Sequence, residues 1–286
     1  MIPPSENLLL IQSSSSGEGK TKGMAKGLVL CCQNAEWAGE SAGFGLPVLK
    51  TGSQTIFPSL FSTKWHSPGT VETVYHLNLI NTWRILGVAA PSLFSGFMEK
   101  LVGFYMGLPG FQQSGLKIRN AIFRFFQIRS TMTPGKGFGH CRVLYQADNN
   151  RLKISVNGEG MRDALGHQGR LILLNEVPGT GFTRMKTGQH IRDGQNFLPW
   201  QTCAIETAIE NPGLDMGFFL SLPGKSGSSG LQIGAGREVG RDLNWAGLSL
   251  ATDQTVFTYL VHFYRGDNHP PVSINLGGCD SWPDPL

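Results

Sequence analysis

Residues 70–85, "TVETVYHLNLINTWRI", decide the fold class. The run is β-prone along its length. In part it alternates: Val74, His76, Asn78 and Ile80 share one face of an extended chain. Upstream, "NLLLIQ" (7–12) and "GLVLCCQ" (27–33) read as strands. "GLPVLKTG" and "QTIFPS" meet at Gly52-Ser53, a hairpin signal. Downstream the period changes. Phe94, Phe97, Met98, Leu101, Val102, Tyr105 and Met106 recur at spacings of three and four, one face of a helix that Leu108-Pro109-Gly110 ends. A second helical stretch, about 116–129, carries Ile118, Ile122, Phe125 and Phe126.

After Pro134-Gly135 the strands resume. "HCRVLYQA" and "RLKISVNG" flank Asp148-Asn149-Asn150, a good turn. "GRLILLNEV" is a strong strand, and "CAIETAIE" fits helix or strand. "MGFFLSL" and "GLQIGAG" flank a Gly/Ser-rich loop at 224–230. "WAGLSLA" and "TVFTYLVHFYR" flank Thr252-Asp253 and read as another hairpin. Roughly eleven to fourteen strands joined by short turns fit one β-rich domain. The expectation is an all-β chain: a large antiparallel β-sandwich, supersandwich-like, or a barrel, with a helical insertion at about 91–129.

The bulk numbers agree. Thirty-eight glycines and sixteen prolines in 286 residues call for many turns, and fifteen per cent charged residues leave few long charged helical faces. The net charge is +4 and scattered. The densest basic stretch, Lys117, Arg119, Arg124 and Arg129, is interleaved with Ile118, Phe123, Phe125 and Phe126. Such a stretch can meet RNA or lipid head groups. We read it as an amphipathic helix packed on the body, and expect no nucleic-acid partner. Cys31, Cys32, Cys141, Cys203 and Cys279 form no CxxC pair and are odd in number, which fits small buried hydrophobes in a reducing compartment. With no apolar run of spanning length and no basic n-region before Leu8, the sequence reads as a cytoplasmic protein without a transmembrane segment.

Two motifs imitate nucleotide sites. "SSSSGEGKT" (13–21) resembles the phosphate loop of bacterial tyrosine autokinases and chromosome-partitioning ATPases. A P-loop needs glycine where Ser14 stands, a following helix, and later an apolar strand ending in a magnesium-binding Asp; all three are missing. "LQIGAGREVG" (231–240) spaces its glycines one residue too long for GxGxxG and has no βαβ context, so it reads as a closely approached or bulged strand. The seven histidines do not cluster at metal-ligand spacings. No cofactor and no metal are expected.

Polar groups inside apolar strands remain: His76, Asn175, Glu176, Glu206, Arg237 and Glu238, with Trp200 and Trp245 nearby in sequence. Ionisable groups in sheet interiors are costly unless paired or used. One reading makes Glu176, Glu206 and Arg237 structural ion pairs or solvated outer-face residues. The other gathers His76, Glu176 and Glu206 or Arg237 on a concave face as acid–base groups, with Trp200, Trp245, Arg237 and Glu238 holding substrate.

In outline, a β chain of this length with Trp, Arg and carboxylates in its strands is similar to galactose-mutarotase-like supersandwiches. That resemblance implies a small-molecule or glycan ligand and a carboxylate base with a histidine acid, roles open here to His76, Glu176 and Glu206. It leads to a carbohydrate-binding or carbohydrate-processing protein of isomerase or lyase type. Two rivals stand beside it: a lipocalin-like binder or enzyme for an apolar lipid or isoprenoid, and a non-catalytic interaction protein. A polar, Trp-lined groove would favour the sugar; a Phe/Leu/Met-lined cavity would favour the lipid.

Overall fold

The computed structural model describes residues 7–12, 24–32, 35–36, 42–51, 54–89, 121–122, 124–161, 163, 165, 169–179, 181–193, 198–204, 206–222, 230–237, 244–266 and 272–278. Within them the chain is nearly all antiparallel β, with twenty strands, one 3₁₀ turn and a few helical residues near 121–125 and 163–165. Their pairings link them into one continuous sheet, which folds over on itself as two layers packed through a shared core.

The first layer runs, edge to edge, through β13 (His190–Asp193), β12 (Arg184–Thr187), β15 (Thr207–Asn211), β16 (Met216–Ser221), β19 (Val256–Arg265), β10 (Arg151–Asn157), β9 (His140–Asp148), β6 (Thr70–Ile85) and β5 (Gln54–Ser67). The far end of β6 pairs with β7 (Val88–Ala89) and β8 (Arg129–Pro134). The second layer runs through β14 (Leu198–Thr202), β17 (Leu231–Arg237), β18 (Asn244–Thr252), β11 (Gly169–Pro178) and β4 (Gly43–Thr51). It continues from β4 to β2 (Leu28–Cys32), which pairs with β1 (Asn7–Gln12) and β3 (Ala35–Glu36). There β1 meets β20 (Ser273–Gly278) in parallel; the other pairs are antiparallel. The β4–β5 hairpin, with Thr51 opposite Gln54, joins the layers at the turn the sequence marked.

Residues 70–85 form β6 as the sequence predicts. Val71, Thr73, Tyr75, Leu77 and Leu79 are buried, while Glu72, Val74, His76, Asn78 and Ile80 lie on the other face. The inner faces of the two layers share one core. Phe44 of β4 meets Phe218 of β16 edge-on at 5.1 Å and Phe263 of β19 at 5.3 Å. Each large side chain fully buried there contributes about 1.5–3 kcal/mol.

Asn175 is at the centre of that core and fully buried. Its Oδ1 accepts from Gly45 N (3.1 Å) and Tyr259 OH (2.9 Å), and its Nδ2 donates to the Leu173 and Leu248 carbonyls (3.3 Å each). Tyr145 OH donates to Gly45 O at 3.2 Å and lies 2.9 Å from Tyr75 OH, which reaches Lys26 O at 3.0 Å. The network forms because β4 bulges here. Leu46 faces Leu174 and Phe44 faces Asn175, so Gly45 is the extra residue, at φ +74°. A Cβ at Gly45 would sit 2.7 Å from the Tyr145 ring, so only glycine fits.

Two expectations change. The Thr252-Asp253 turn does not close a hairpin: β18 pairs with β11 and β17, whereas β19 pairs with β10 and β16. The turn carries the chain from one layer to the other. The helical insertion lies mostly outside the described residues, including the whole 94–106 stretch. Of its second half, Ala121, Ile122, Arg124 and Phe125 are helical, but β8 already begins at Arg129. Ile122, Phe125 and Phe126 are exposed, not packed on the body. Leu86, just past the end of β6, donates its N–H to Phe126 O and holds this turn beside the ends of β6 and β8.

Candidate functional site

The outer face of the first layer holds an open groove of about 850 Å³, lined by Ser62, Lys64, Glu72, Val74, His140, Arg142, Asn157, Glu159 and Gly160. Strand alternation puts these side chains outward, and register brings them together. Ser62 of β5, Val74 of β6, Arg142 of β9 and Asn157 of β10 form one rung across four strands. Lys64 and Glu72 face each other on one neighbouring rung, and His76 and His140 on the other. Three register shifts between β5 and β6, at Phe57/Pro58, Leu60/Ser62 and Trp65/Ser67, bend this ribbon.

Glu159 arrives from elsewhere. It begins the 3₁₀ turn Glu159–Met161, whose Met161 is buried. Gly139, at φ +114°, lies against the backbone of Gly160, and a Cβ on Gly160 would meet His140 O at 2.8 Å. Two glycines therefore let this turn lie on the start of β9 and set Glu159 at the groove wall.

The lining combines cations (Lys64, Arg142), carboxylates (Glu72, Glu159), an imidazole and two neutral hydrogen-bonding groups; Val74 is its one large apolar member. His66 Nε2 lies 3.0 Å from Glu72 Oε2, which fixes one carboxylate oxygen. His140 stacks on His76 at 4.7 Å with 13° between the rings. Nitrogen and oxygen groups of both kinds in a shallow groove suit a ligand with many hydroxyls. The imidazole and carboxylates are also proton-transfer groups.

The residues singled out from the sequence distribute over both layers. His76 is not part of the groove lining but stacks on His140, which is. Its other side is covered by the loop after β8, where a Cβ on Gly137 would lie 2.7 Å from His76 Nε2. Glu176, Trp200 and Trp245 share the outer face of the second layer. The two indoles stack at 5.1 Å and 25°. Trp200 covers Gly234 of β17, and Glu176 lies over Gly247 while accepting from Ala42 N at 2.9 Å. The glycine-rich strand is thus the closely approached strand the sequence indicated. The expected meeting of His76 with Glu176 does not occur, because β6 and β11 belong to different layers.

Glu206 stands exposed in a turn before β15, not inside a strand. The acid within that strand is Glu210, which accepts from Tyr264 OH at 2.7 Å and lies 3.9 Å from Arg184. Arg237 ends β17; its side chain and all of Glu238 fall outside the described residues. Lys64, Glu72, Arg142 and Glu159 escaped the sequence reading. Their one visible signal was position: Glu72 and Val74 precede His76, and Arg142 follows His140, at steps of two.

No group of three metal-binding side chains occurs among the described residues, and no described helix is long and apolar enough to cross a membrane. Comparison of the chain with protein-family models, curated proteins and solved structures finds no match, so the reading of this groove rests on its own residues.

Proposed function

We propose that this protein binds a carbohydrate in the groove between β5, β6, β9 and the Glu159 turn. The observation that carries this reading is the lining itself. Donors on Arg142, Lys64 and Asn157 and acceptors on Glu72 and Glu159 face one open concavity. That pattern matches the alternating donor and acceptor hydroxyls of a sugar. The groove differs from the sequence expectation in having no tryptophan in its lining. Processing of the sugar, by isomerisation or elimination, is the finer form of the proposal, with His140 and the two glutamates as acid–base groups.

The apolar-ligand reading has less support. The space between the layers is filled by Tyr75, Tyr145, Tyr259, Phe44, Phe182, Phe218 and Phe263, each at most 1 % exposed. The Trp200–Trp245 pair gives a second sugar-stacking surface some support, but covering Gly234 already accounts for the position of Trp200.

A glycan array identifies the ligand, and calorimetric titration compares variants. Arg142→Ala and Glu159→Gln should each weaken binding at least tenfold with an unchanged melting temperature, while Trp245→Ala leaves it intact. Loss through Trp245→Ala alone moves the site to the second layer. Failure of every glycan to bind the folded protein removes the proposal.

A further inference from the structure

The far end of β6 carries a feature unrelated to the groove. Five of the eight large exposed apolar side chains among the described residues gather there: Leu86 (60 %), Val88 (70 %), Ile122 (43 %), Phe125 (79 %) and Phe126 (44 %). They form one tip. Leu86 N donates to Phe126 O at 3.0 Å, and the Phe125 and Phe126 rings meet edge-on at 5.0 Å.

The turn at this tip is built against its own preference. Ile85 pairs with Val88, so Leu86 and Gly87 form a two-residue hairpin turn, with φ of +50° and +83°. Positive φ at both positions is the type I′ geometry that favours Asn-Gly. A leucine there pays backbone strain and exposes its side chain to water as well. Neither cost helps the fold.

The stretch of sequence that contains the tip is basic, although Arg142 within it belongs to the groove. Between residues 73 and 147 the sequence holds eight Lys or Arg and one acid, Glu99; over the rest of the chain acids outnumber bases. Arg84 and Arg124 are exposed beside the apolar tip. Bulky apolar side chains that project past the strand ends, flanked by arginines in a stretch nearly without acids, match the layering of a bilayer surface. Apolar groups enter the acyl boundary and the cations meet anionic head groups. A nucleic acid would use the arginines but would leave Leu86, Val88 and Ile122 without a function.

We infer that the Leu86–Val88 turn, with Ile122, Phe125 and Phe126, forms a tip that docks on anionic lipid bilayers. The test is co-sedimentation of the whole chain with vesicles of phosphatidylcholine, alone or with one third phosphatidylserine. Phosphatidylserine vesicles should retain the protein at low salt, and high salt or phosphatidylcholine alone should reduce retention at least tenfold. The Leu86→Asn/Phe125→Ser variant should lose at least tenfold. Because asparagine suits the turn, its melting temperature should not fall below the parent's, which separates lost docking from lost folding. Three results overturn the inference: a parent protein left in the supernatant at low salt, a variant that sediments like the parent, or preferential capture of poly(U) RNA over vesicles. A parent dimer that the variant converts to monomer, without vesicle binding, assigns the tip to a second copy and overturns it equally.

Discussion

Replacing Asn175 with valine tests whether the two layers are held in register by one buried amide. Valine suits a strand, but it takes away the acceptor used by Gly45 N and Tyr259 OH and the donor used by two carbonyls. The carbonyls keep a second lone pair for other bonds and suffer less. The two donors are left buried without a partner, at about 1–3 kcal/mol each. Asn175→Val should therefore cost about 2–6 kcal/mol, a large share of the ~5–15 kcal/mol expected of a folded domain. Tyr259→Phe alone should cost only about 0.5–1.5 kcal/mol, because Asn175 Oδ1 keeps its bond from Gly45. In the Asn175→Val background the same change removes an orphaned hydroxyl and should be neutral or stabilising. The coupling between the two sites is then about 1–3 kcal/mol. Urea unfolding followed by tryptophan fluorescence, extrapolated linearly, gives all four values. If Asn175→Val costs under about 1 kcal/mol, or Tyr259→Phe costs the same in both backgrounds, the network does not act as a unit and the reasoning fails.

Two further outcomes follow from buried or half-buried titratable groups. Burial pushes the Cys141 thiol up to about 12, so native protein treated with iodoacetamide at mildly alkaline pH should leave Cys141 unmodified in a peptide map and label it in urea; native labelling at the unfolded rate contradicts its placement. Burial, with the Arg151 guanidinium adding to it, holds the His262 imidazole below its ordinary 6.5. As pH falls, the unfolded chain takes up this proton first, so stability is full above 6.5 and is lost as the pH drops through the folded value. His262→Gln should flatten that acid-side loss in melting temperature against pH, and an unaltered slope refutes the assignment.

Local signals made the elements legible. The β-prone run at 70–85, the Gly52-Ser53 hairpin and the Asp148-Asn149-Asn150 turn, with Asn149 at φ +52°, stand where the sequence puts them. Partner choice was not legible. Two alternating runs about a tight turn look the same whether they pair with each other or pass between layers, and β18 and β19 do the second. The groove was hidden for the same reason. Val74 meets Arg142, and His76 meets His140, only through the β6–β9 register, which links positions more than sixty residues apart. Periodicity says which side of a strand a residue occupies, but not which strand lies beside it. Asn175 shows the converse: the sequence marked it only as a polar residue ending an apolar run, and its bonds inside the core depend on partners in β4, β18 and β19.

Strand β6 ties the groove to the tip and constrains both. Buried residues alternate along it from Val71 to Leu79, so it cannot slip by one position without exposing Tyr75 and Leu77. Val74 in the groove and Leu86 at the tip are twelve residues apart on this one rod. At roughly 3.3 Å per residue they are at most about 40 Å apart. Were β6 to stand close to the bilayer normal, a tip seated in the head groups would hold the groove in water, out of reach of a single lipid head group. In that orientation the proposed groove ligand would be a soluble glycan or a long chain rising from the surface, not the sugar of a simple glycolipid. Vesicles carrying a monosaccharide glycolipid should consequently bind no better than their phosphatidylserine content dictates, and Arg142→Ala should leave vesicle binding unchanged.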